Sequence, residues 1–447
     1  MIAIVTPARM AEIDAAASEP VEDLIDRAGR SVARVALRML GGSYGRRVVI
    51  LAGPGNNGAD GRIAAGHLRR RGVRVAVVDA LDTPSAPLVA DLVVDAAFGT
   101  GLRRPYLAPS VGPAVPVLAV DIPSGVDGLT GAHLGDPLPA DRTITFVALK
   151  PGLVLEPGRS SAGIVEVADI GLDPGPVDTH LVTDDDVARW LPHRRADDHK
   201  WRSGVRVVGG SPGMTGAAAL AARAAQRSGA GIVQLAMPGA RGDEGPVEAV
   251  GMPLPTTDWA DAAFADLDDR VRAVLIGPGL GPVEPDSMAA ALAIDRPLVL
   301  DGDALQRFVV PHLSTRVAPT VLTPHDGEWG RLGGEPAADR IAATRAFATS
   351  HRVTVVRKGP TTIVADRDGQ VRVVASGTAA LAGAGTGDVL AGCIVALVAR
   401  GLDPFDAATL AAQVHGTAGR HLGAGLVAGE VADRLRVELS ALRTRRR

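Results

Sequence analysis

The sequence predicts an α/β protein of two domains, each built on a parallel sheet with helices on both faces. The chain has 447 residues, which is too long for one ordinary hydrophobic core. Short apolar runs alternate with helical stretches along it, an order typical of doubly wound parallel sheets. The strand-like runs end in Asp, Gly, Ser, Pro or His. Ligands of such sheets bind at the carboxyl ends of the strands, where these residues would cluster.

The N-terminal half is predicted to begin with two helices and to continue with alternating strands and helices. A first helix is expected after Pro7, and residues 22–40 place an apolar stripe on one helical face. The segment "RRVVILAG" indicates a strand buried on both faces, followed by a glycine-rich loop and a helix through Arg71. Further strands are predicted at "VRVAVVDA", "ADLVVDAAFGTG", "VPVLAVDIPSG" and "RTITFVAL".

The composition changes between residues 174 and 201, where Asp, Arg, Pro and His predominate. We interpret this stretch as the link between the domains. A second α/β series follows, with apolar strands in "VRVVGG", "RAVLIGPGLG", "RPLVLDGDAL", "TVLTPHDGEW" and "VTVVRKGPTTIVA". The predicted domains are therefore residues 1–190 and 195–440.

Composition and charge argue against several classes of partner. Only 3% of the residues are aromatic and the net charge is −3, so no nucleic-acid surface is expected. No apolar run reaches membrane-spanning length. The single cysteine, Cys393, excludes an internal disulfide framework and a cysteine-based metal cluster, and favours a cytoplasmic protein. Alanine-rich helices and low charge make a homo-oligomer plausible.

The loop "GPGNNGADG" joins a predicted strand to a predicted helix. Glycine permits positive φ angles there, and the N–H groups at a helix start favour an anion such as phosphate. The loop is neither the dinucleotide fingerprint G-x-G-x-x-G nor a P-loop, because it lacks the Lys-Ser/Thr pair. Taken alone, it is compatible with a plain tight turn or with a phosphate site.

Polar residues follow several other strands of the N-terminal half. Asn57, Asp95, Asp121 and Ser124 are expected to meet at one edge of the sheet. Their carbonyl, carboxylate and hydroxyl oxygens suit a hard cation. One Asp at a strand end is more often a helix cap than a ligand. Several in succession favour a functional site.

Together, "GPGNNGADG", "DAAFGTG" and "VDIPSGVDG" resemble the NAD(P)H-hydrate epimerase domain over about residues 8–170. The resemblance implies a Rossmann-like three-layer αβα domain that binds hydrated NADH or NADPH. The residues that it implies for substrate contact are Asn56, Asn57, Gly58, Ala59, Asp60, Gly99, Thr100, Gly101, Leu102, Arg103, Arg104, Pro105 and Asp121.

The same resemblance implies more specific roles. Asn57, Asp95 and Ser124 look like the potassium ligands of the family. Asp121 would move a proton while the hydroxyl-bearing C6 of the nicotinamide ring is epimerised. Ala59 replaces the glycine that is usual in the family, which is tolerable if its φ angle is negative.

In the C-terminal half, "GAGTGDVLAGCIVALVARG" places Asp388 in the first turn of a predicted helix, directly after a glycine-rich turn. Free N–H groups at the helix start would form an anion hole beside a carboxylate. Such a pair suits phosphoryl transfer, in which the carboxylate takes the proton of the accepting hydroxyl. The alternative is that Asp388 is an ordinary helix-start residue.

This motif resembles the anion hole of ribokinase-like enzymes. Together with "GMTGAAALAARAAQRSGAG", "IGPGLG", "DGDAL", "LTPHDGEWGRL" and "KGPTTIVA", it resembles the ADP-dependent NAD(P)H-hydrate dehydratase over about residues 195–435. The resemblance implies a ribokinase-like αβα domain. Its implied nucleotide contacts are Lys358, Gly359, Pro360, Thr361, Thr362 and Gly387. The residues implied to line the hydrated nicotinamide are Ala217, Gly279, His325 and Asp388.

The chemistry agrees with this resemblance, because hydroxide is a poor leaving group and phosphorylation of the ring hydroxyl would ease its loss. Mg²⁺ on the phosphates would need few protein ligands, so the sequence does not reveal its site. Gly302 and Asp326 depart from the D-A-D-A-L-N and T-P-H-P-G-E patterns of the family. Without that context, His325 would more often be a structural surface residue than a site residue.

The leading hypothesis is a bifunctional repair enzyme that epimerises hydrated NAD(P)H and dehydrates the S form with ADP. One alternative is a small-molecule kinase of the hydroxymethylpyrimidine or hydroxyethylthiazole type, fused to a non-catalytic Rossmann-like binding domain. The preference for NADH or NADPH hydrate, the choice of ADP over ATP, the oligomeric state and channelling between domains stay open.

Overall fold

The computed structural model describes residues 1–82, 87–193, 195–241 and 244–445. The chain divides into two compact units, Ile2–Thr179 and His180–Arg447 together with Met1. Within the described residues no helix is both long enough and apolar enough to cross a membrane.

In the part of the N-terminal unit that the structure describes, there are thirteen α-helices and β-strands. In chain order they are β1 (Ile2–Ala3), α1 (Pro7–Ala15), α2 (Val21–Leu40), β2 (Arg47–Ala52), α3 (Asn56–Arg70), β3 (Arg74–Asp79), β4 (Leu92–Ala96), β5 (Tyr106–Leu107), β6 (Val117–Val120), β7 (Gly135–Asp136), β8 (Arg142–Phe146), α4 (Gly158–Ala162) and β9 (Ile164–Ala168).

The main sheet of this unit has the order β3-β2-β4-β6-β8-β9, and its neighbouring strands are all parallel. Strands β5 and β7 form a separate pair. One face of the main sheet packs on α2 and α3 through a core that includes Val32, Leu68 and Val94. The other face buries a second core around Leu51, Val93 and Ala119. Burial of both faces explains why β6 and the first three residues of β4 are apolar.

The second unit begins with β10 (Thr179–Leu181), which starts on the last residue of the first. It continues with α5 (Asp184–Trp190), β11 (Gly204–Val208), α6 (Thr215–Arg227), β12 (Ile232–Pro238), β13 (Val250–Leu254), α7 (Trp259–Phe264), β14 (Val271–Ile276), α8 (Pro285–Ala293), β15 (Leu298–Leu300), α9 (Val310–Leu313), β16 (Thr320–Leu322), α10 (Asp326–Arg331), α11 (Arg340–His351), β17 (Thr354–Arg357), β18 (Thr362–Ala365), β19 (Val371–Val374), α12 (Thr386–Ala399), α13 (Pro404–Leu422) and α14 (Ala428–Arg445).

The sheet of this unit runs in the order β10-β19-β18-β17-β16-β15-β14-β11-β12-β13. Pairing is parallel from β17 to β13 and antiparallel at β17-β18-β19. Helices α6, α12, α13 and α14 pack together in the largest core, which is rich in alanine. Small side chains let these helices approach closely. A Cβ atom at Gly392 of α12 would lie 2.2 Å from the Ala221 carbonyl oxygen of α6.

The predicted fold class, α/β with two αβα domains, is confirmed. The division between the units falls earlier than the predicted boundary at 190–195. The reason is that α5 packs against α13 and α14 of the second unit. Its polar start, Asp184 to Asp186, resembles a linker in composition but forms the first turn of a helix with a Thr183 capping box.

Candidate active sites

The loop after β2 is held tightly against the end of β4. A Cβ atom at Gly53 would lie 1.8 Å from the Ala97 carbonyl oxygen, and one at Gly58 would lie 1.9 Å from the Gly53 carbonyl oxygen. Glycine is therefore required at both positions to bring the start of α3 to the sheet edge. Ala59 lies within α3 and is not among the residues with positive φ, so its methyl group fits the loop.

A cavity of about 670 Å³ opens at this edge of the N-terminal unit. Among the residues predicted to bind substrate, its lining includes Asn56, Asn57, Asp60, Gly99, Thr100, Gly101, Leu102, Arg103, Arg104 and Asp121. Gly58, Ala59 and Pro105 are not among the residues that line it. The two loops and the Asp at the end of β6, distant in sequence, therefore share one concave surface.

Asp121 lies where β6 ends and has a left-handed backbone, with φ 66°. Its carboxylate is paired with Lys150, whose Nζ lies 2.6 Å from Asp121 Oδ1. The Thr145 hydroxyl donates to the same oxygen over 3.0 Å. The Lys150 side chain is only 1% exposed, yet it lines the cavity. Neither Lys150 nor Thr145 is among the site residues predicted from the sequence.

Two further carboxyl groups line the cavity. Asp60 is buried, which raises its pKa to about 8, and the negative charges of Asp121 and Asp14 add to the rise. Burial also raises the pKa of Asp14, against the lowering effect of Lys150. At neutral pH most Asp60 side chains are therefore protonated, so the cavity contains both an acid and a paired carboxylate.

Asp95 and Ser124, two of the three predicted potassium ligands, are in direct contact. The Ser124 hydroxyl lies 2.6 Å from Asp95 Oδ1, and the Ser124 backbone N–H donates to Asp95 Oδ2 over 2.8 Å. Asp95 is fully buried, which raises its pKa despite the hydrogen bonds from Ser124. The amide oxygen and nitrogen of Asn57, the third predicted ligand, are buried and hydrogen-bond with no described residue.

In the second unit, the start of α12 is fixed by a buried histidine and a threonine. The Thr386 hydroxyl contacts the carbonyl oxygens of Leu381 and Gly383, at 2.8 and 3.0 Å. His415 Nε2 lies 2.9 Å from the Thr386 carbonyl oxygen and must donate to it. Burial lowers the pKa of His415 to about 4, so the ring is neutral. The first N–H groups of α12 have no partner within the helix and face outward from its end.

Asp388 lies in the first turn of α12 and is half-buried. Burial raises its pKa to about 7, and the negative charge of Asp301 contributes next. Glu328 and Asp303 act in the same direction, whereas Lys358 lowers the pKa. A carboxyl group with a pKa near neutrality can accept a proton during a reaction and release it afterwards.

Lys358, predicted to contact the nucleotide, lies between two acidic side chains. Its Nζ is 2.8 Å from Asp301 and 3.5 Å from Glu328. Burial acts to lower the pKa of Lys358, but the two carboxylates outweigh it and raise that pKa. A Cβ atom at Gly387 would lie 3.3 Å from Lys358 Nζ, so the lysine ammonium lies beside the start of α12.

The other predicted residues of this site lie at neighbouring strand ends. Gly279 follows β14 with φ 57°, and a Cβ atom there would lie 3.0 Å from the Ala217 methyl group of α6. His325 follows β16 and caps α10, because its Nδ1 accepts hydrogen bonds from the N–H groups of Gly327 and Glu328. The remaining predicted nucleotide contacts, Gly359, Pro360, Thr361 and Thr362, lead from β17 into β18.

The described residues contain no group of three or more His, Cys, Asp or Glu side chains arranged to hold a metal ion. Asp301, Asp303 and Glu328 nevertheless offer carboxylate oxygens near Asp388. Mg²⁺ bound to phosphates needs only one or two such ligands.

Sequence reasoning missed several charged residues of the two sites, among them Asp301, Glu328, Lys150 and Asp14. Asp301 directly follows strand β15, so the rule that singled out Asp95 and Asp121 would also have found it. Glu328 lies in the segment "TPHDGE", which had been noted for other residues. Lys150 and Asp14 carry no such signal, because their contacts with the cavity depend on the packing of distant segments.

Comparisons with known proteins assign both units. The family model of NAD(P)H-hydrate dehydratase matches residues 205–439, and that of the YjeF-related protein N-terminus matches residues 21–88 and 78–152. A bifunctional NAD(P)H-hydrate repair enzyme of Salinibacter ruber is 36% identical over 91% of this chain and 88% of the relative. A bifunctional NAD(P)H-hydrate repair enzyme of Moorella thermoacetica is 37% identical over 93% of this chain and 92% of the relative.

A solved structure resembles the second unit. It is an ADP/ATP-dependent NAD(P)H-hydrate dehydratase of Bacillus subtilis, co-crystallised with ATP and Mg²⁺. The two chains are 31% identical, and the match covers 58% of this chain and 97% of the Bacillus subtilis chain, with a TM-score of 0.52.

The fold and the two strand-end sites define a two-domain enzyme with a Rossmann-like unit and a ribokinase-like unit. More particularly, the chain belongs to the family of bifunctional NAD(P)H-hydrate repair enzymes. The sequence prediction of this family is confirmed, and the alternative of a small-molecule kinase of the hydroxymethylpyrimidine or hydroxyethylthiazole type is disfavoured.

Proposed function

We propose that the N-terminal unit interconverts the R and S epimers of hydrated NADH or NADPH, and that the second unit dehydrates the S epimer with ADP. The products are NAD(P)H, AMP and phosphate. The observation that carries this proposal is that each unit holds one carboxylate, Asp121 or Asp388, at a strand-end site in a setting suited to proton transfer. The alternative of a non-catalytic N-terminal unit does not account for a buried Lys–Asp pair in a cavity.

In the N-terminal unit, Asp121 would exchange a proton with the substrate as the configuration at C6 inverts. Epimers have the same composition, so any proton that leaves must be returned. Arg103 and Arg104, at the exposed rim of the cavity, suit the phosphates of a dinucleotide. The start of α3 at Asn56 offers free N–H groups to the same anion.

The residues of the N-terminal unit fit a potassium ion. The orphaned amide of Asn57 and the buried carboxylate of Asp95, which pairs with no described cation, are polar groups that a cation would satisfy. Ser124 adds a hydroxyl oxygen in contact with Asp95. The ion would neutralise the Asp95 charge and fix the loop that contains Asn57. The three residues are proposed as its ligands.

In the second unit, Asp388 would accept the proton of the ring hydroxyl while that oxygen attacks the β-phosphorus of ADP. AMP leaves, the C6–O bond then breaks to release phosphate, and a proton is lost from the neighbouring C5, so that the C5=C6 double bond of the dihydronicotinamide forms. The free N–H groups of α12 would stabilise charge on the moving phosphoryl group. Lys358 supplies a cation beside Gly387. Mg²⁺, held by the phosphates with Asp301 or Glu328, would supply further charge neutralisation.

A single assay tests the proposal. The purified protein is mixed with hydrated NADPH as both epimers, Mg²⁺ and either ADP or ATP, and the return of dihydronicotinamide absorbance is followed. Complete recovery supports both activities. Recovery that stops at the share of the S epimer would contradict the epimerase assignment, and no recovery with either nucleotide would contradict the dehydratase assignment.

The potassium site predicts an ion effect. Exchange of sodium for potassium should raise the epimerase rate or its substrate affinity, because Asn57, Asp95 and Ser124 would then bind their ion. Asn57→Leu should abolish the difference between the two salts. Equal rates in both salts for the unaltered protein would contradict the site.

Several further points stay predictions. The cytoplasmic location rests on the single cysteine, and the homo-oligomer rests on composition. The absence of nucleic-acid and membrane partners is likewise an expectation from composition. The choice between ADP and ATP is answered by the same assay.

A further inference from the structure

Lys150 is a buried cation to which the function proposed above assigns no role of its own. It lies shortly after β8, its side chain is 1% exposed, and it lines the N-terminal cavity. Removal of an ammonium group from water is costly unless its charge and its N–H groups are all compensated. An apolar residue of similar length would fill the same volume without that cost, so core packing alone does not explain a lysine here.

The three N–H groups of the Lys150 ammonium are all used within the protein. Nζ lies 2.6 Å from Asp121 Oδ1, 2.8 Å from Thr145 Oγ1 and 3.1 Å from the Phe146 carbonyl oxygen. A lysine ammonium has three donors and no acceptor. Lys150 therefore has no spare donor for a ligand, and it can influence the cavity only through the groups that it holds.

The two oxygens of the Asp121 carboxylate differ in their surroundings. Oδ1 accepts from Lys150 and from the Thr145 hydroxyl. No described residue donates to Oδ2, which lies 3.3 Å from the point where a Cβ atom of Gly99 would be. Gly99 leaves that space open, and both residues line the cavity. Oδ2 is thus the oxygen that remains for a ligand.

Around this carboxylate, acidic side chains outnumber buried cationic side chains. Asp14 of α1, Asp60 of α3 and Asp121 line the cavity as acids. Lys150 is the buried cation, whereas Arg103 and Arg104 are exposed at the rim. The left-handed backbone of Asp121, φ 66°, is sparsely populated by residues other than glycine, and such strain concentrates at functional sites.

We propose that Lys150 is a positioning residue for epimerisation: it holds Oδ1 of Asp121 so that Oδ2 is presented to the hydrated nicotinamide ring. It also compensates the Asp121 charge where Asp14 and Asp60 are close. This inference rests on the proposed role of Asp121 in the epimerase. It assigns Lys150 no contact with the substrate.

The first test replaces Lys150 by methionine, which keeps the length and removes the charge. Conversion of the separated R epimer of hydrated NADPH to the S epimer is followed by chromatography, with the rate without enzyme subtracted. The expected result is a fall in kcat of about 100-fold or more, because misplacement of a reacting group costs this much. KM should change less than about threefold, since the substrate contacts remain.

Thr145→Val is the matched control, because it keeps the ion pair of Lys150 with Asp121 and removes only the hydroxyl that donates to Oδ1 and accepts from Lys150. It should lower kcat by much less than Lys150→Met does, because the ion pair that holds Oδ1 of Asp121 remains. Dehydration by the same preparations should be unchanged. A Lys150→Met variant with an unaltered kcat, or one whose loss lies in KM alone, would overturn the inference.

A second test uses a double-mutant cycle, which a merely structural role would not satisfy. If Lys150 acts through Asp121, adding Lys150→Met to Asp121→Asn should change kcat less than about twofold, because residues that act as a unit are not additive. The double variant also buries no unpaired charge, so it serves if Lys150→Met alone does not fold. A further large loss in the double variant would contradict the inference.

The two proposals can fail separately. If the unaltered protein does not convert the R epimer, the epimerase assignment falls. If it does convert the R epimer but Lys150→Met converts it equally well, only the inference about Lys150 falls.

Discussion

The carboxyl group of Asp388 lies near three other acids and one cation, and this balance sets its proton affinity. Burial and the negative charge of Asp301 raise its pKa to about 7, whereas Lys358 opposes the rise. A base of this pKa is half ionised at pH 7 and fully ionised about two units higher.

Dehydration should therefore depend on pH through Asp388. Because the base must be deprotonated, kcat/KM is expected to fall about tenfold per pH unit below pH 7 and to level off above it. Asp388→Asn should lower the plateau rate above pH 7 by at least about 100-fold and should remove the dependence on pH, since the amide accepts no proton. The measurement is dihydronicotinamide absorbance with the S epimer across pH 5–9. A rate that is independent of pH in the unaltered protein would exclude Asp388 as the base.

Asp60 combines deep burial with the absence of a cationic partner among the described residues. Its folded-state pKa of about 8 lies above the ordinary value of 3.8 for an aspartate. A raised pKa means that the folded state favours the protonated form. The resulting stability is complete below pH 4 and is lost as the pH rises through about 8.

Asp60→Asn should remove this pH dependence from the N-terminal unit. One pKa unit corresponds to about 1.4 kcal/mol, so the variant should be more stable than the unaltered protein at pH 8 by several kcal/mol, and similar to it at pH 4. Both tyrosines, Tyr44 and Tyr106, lie in this unit. Urea unfolding followed by second-derivative tyrosine absorbance therefore reports on it.

The exposed Asp136→Asn is the control, since it removes one carboxyl group without touching the cavity. It should leave the stability profile unchanged. If Asp60→Asn also left the profile unchanged, Asp60 would titrate normally in the folded protein.

Strand-end polar residues could be predicted from the sequence, but their partners could not. Asp95, Asp121 and Ser124 were located by the rule that parallel strands end at one edge of a sheet, and the structure brings Asp95 and Ser124 into contact. Lys150 could not be predicted as a site residue, because nothing in "TFVALK" distinguishes a buried lysine from an exposed one. Its burial follows from the packing of the segments around Asp121. The roles of these residues stay predictions.

At the scale of elements, the crossing of α6 and α12 depends on a missing side chain. A Cβ atom at Gly392 would lie 2.2 Å from the Ala221 carbonyl oxygen and 2.8 Å from its carbon. These are backbone atoms of a packed helix, which cannot move aside as the end of a flexible side chain can. Helices in this core approach closely because small residues face each other.

Gly392→Ala should therefore destabilise the second unit by roughly 1–3 kcal/mol, the usual cost of overpacking a core. This is opposite in sign to the gain of about 1 kcal/mol that glycine to alanine brings in an open helix. All four tryptophans lie in this unit, at positions 190, 201, 259 and 329, so their fluorescence during urea unfolding measures the loss.

Gly429→Ala in α14 provides the comparison, because the nearest atom to its Cβ would be a guanidinium nitrogen at 3.8 Å. It should be neutral or slightly stabilising. Equal effects at the two positions would mean that α6 and α12 do not approach as closely as described.

Most elements could be predicted from hydrophobic patterning, and the exceptions are instructive. The long apolar strands and α12 carry strong signals. The two-residue strands β5 and β7 carry none, because so short a pairing depends on tertiary contacts. The segment Asp184–Trp190 was included in a linker for its polarity, although its polar residues cap a helix.

At the scale of the whole molecule, the two proposed reactions use residues of separate units. Asp388→Ala should abolish dehydration and leave epimerisation intact, and Asp121→Asn should do the reverse, with losses of at least about 100-fold in each case. The two rates are measured on the same preparations, with the R epimer for one and the S epimer for the other. Loss of both activities in either variant would contradict the separation of the sites.

The burial of α12 has a consequence for how the enzyme should respond to heat. Its first turn presents Asp388, and each of its residues from Val389 to Ala399 is buried. A helix so enclosed has no room to fray or rotate while the surrounding core is intact. We therefore expect thermal inactivation of the dehydratase to coincide with the unfolding of its unit. No temperature interval below the unfolding transition should contain a protein that is folded but inactive.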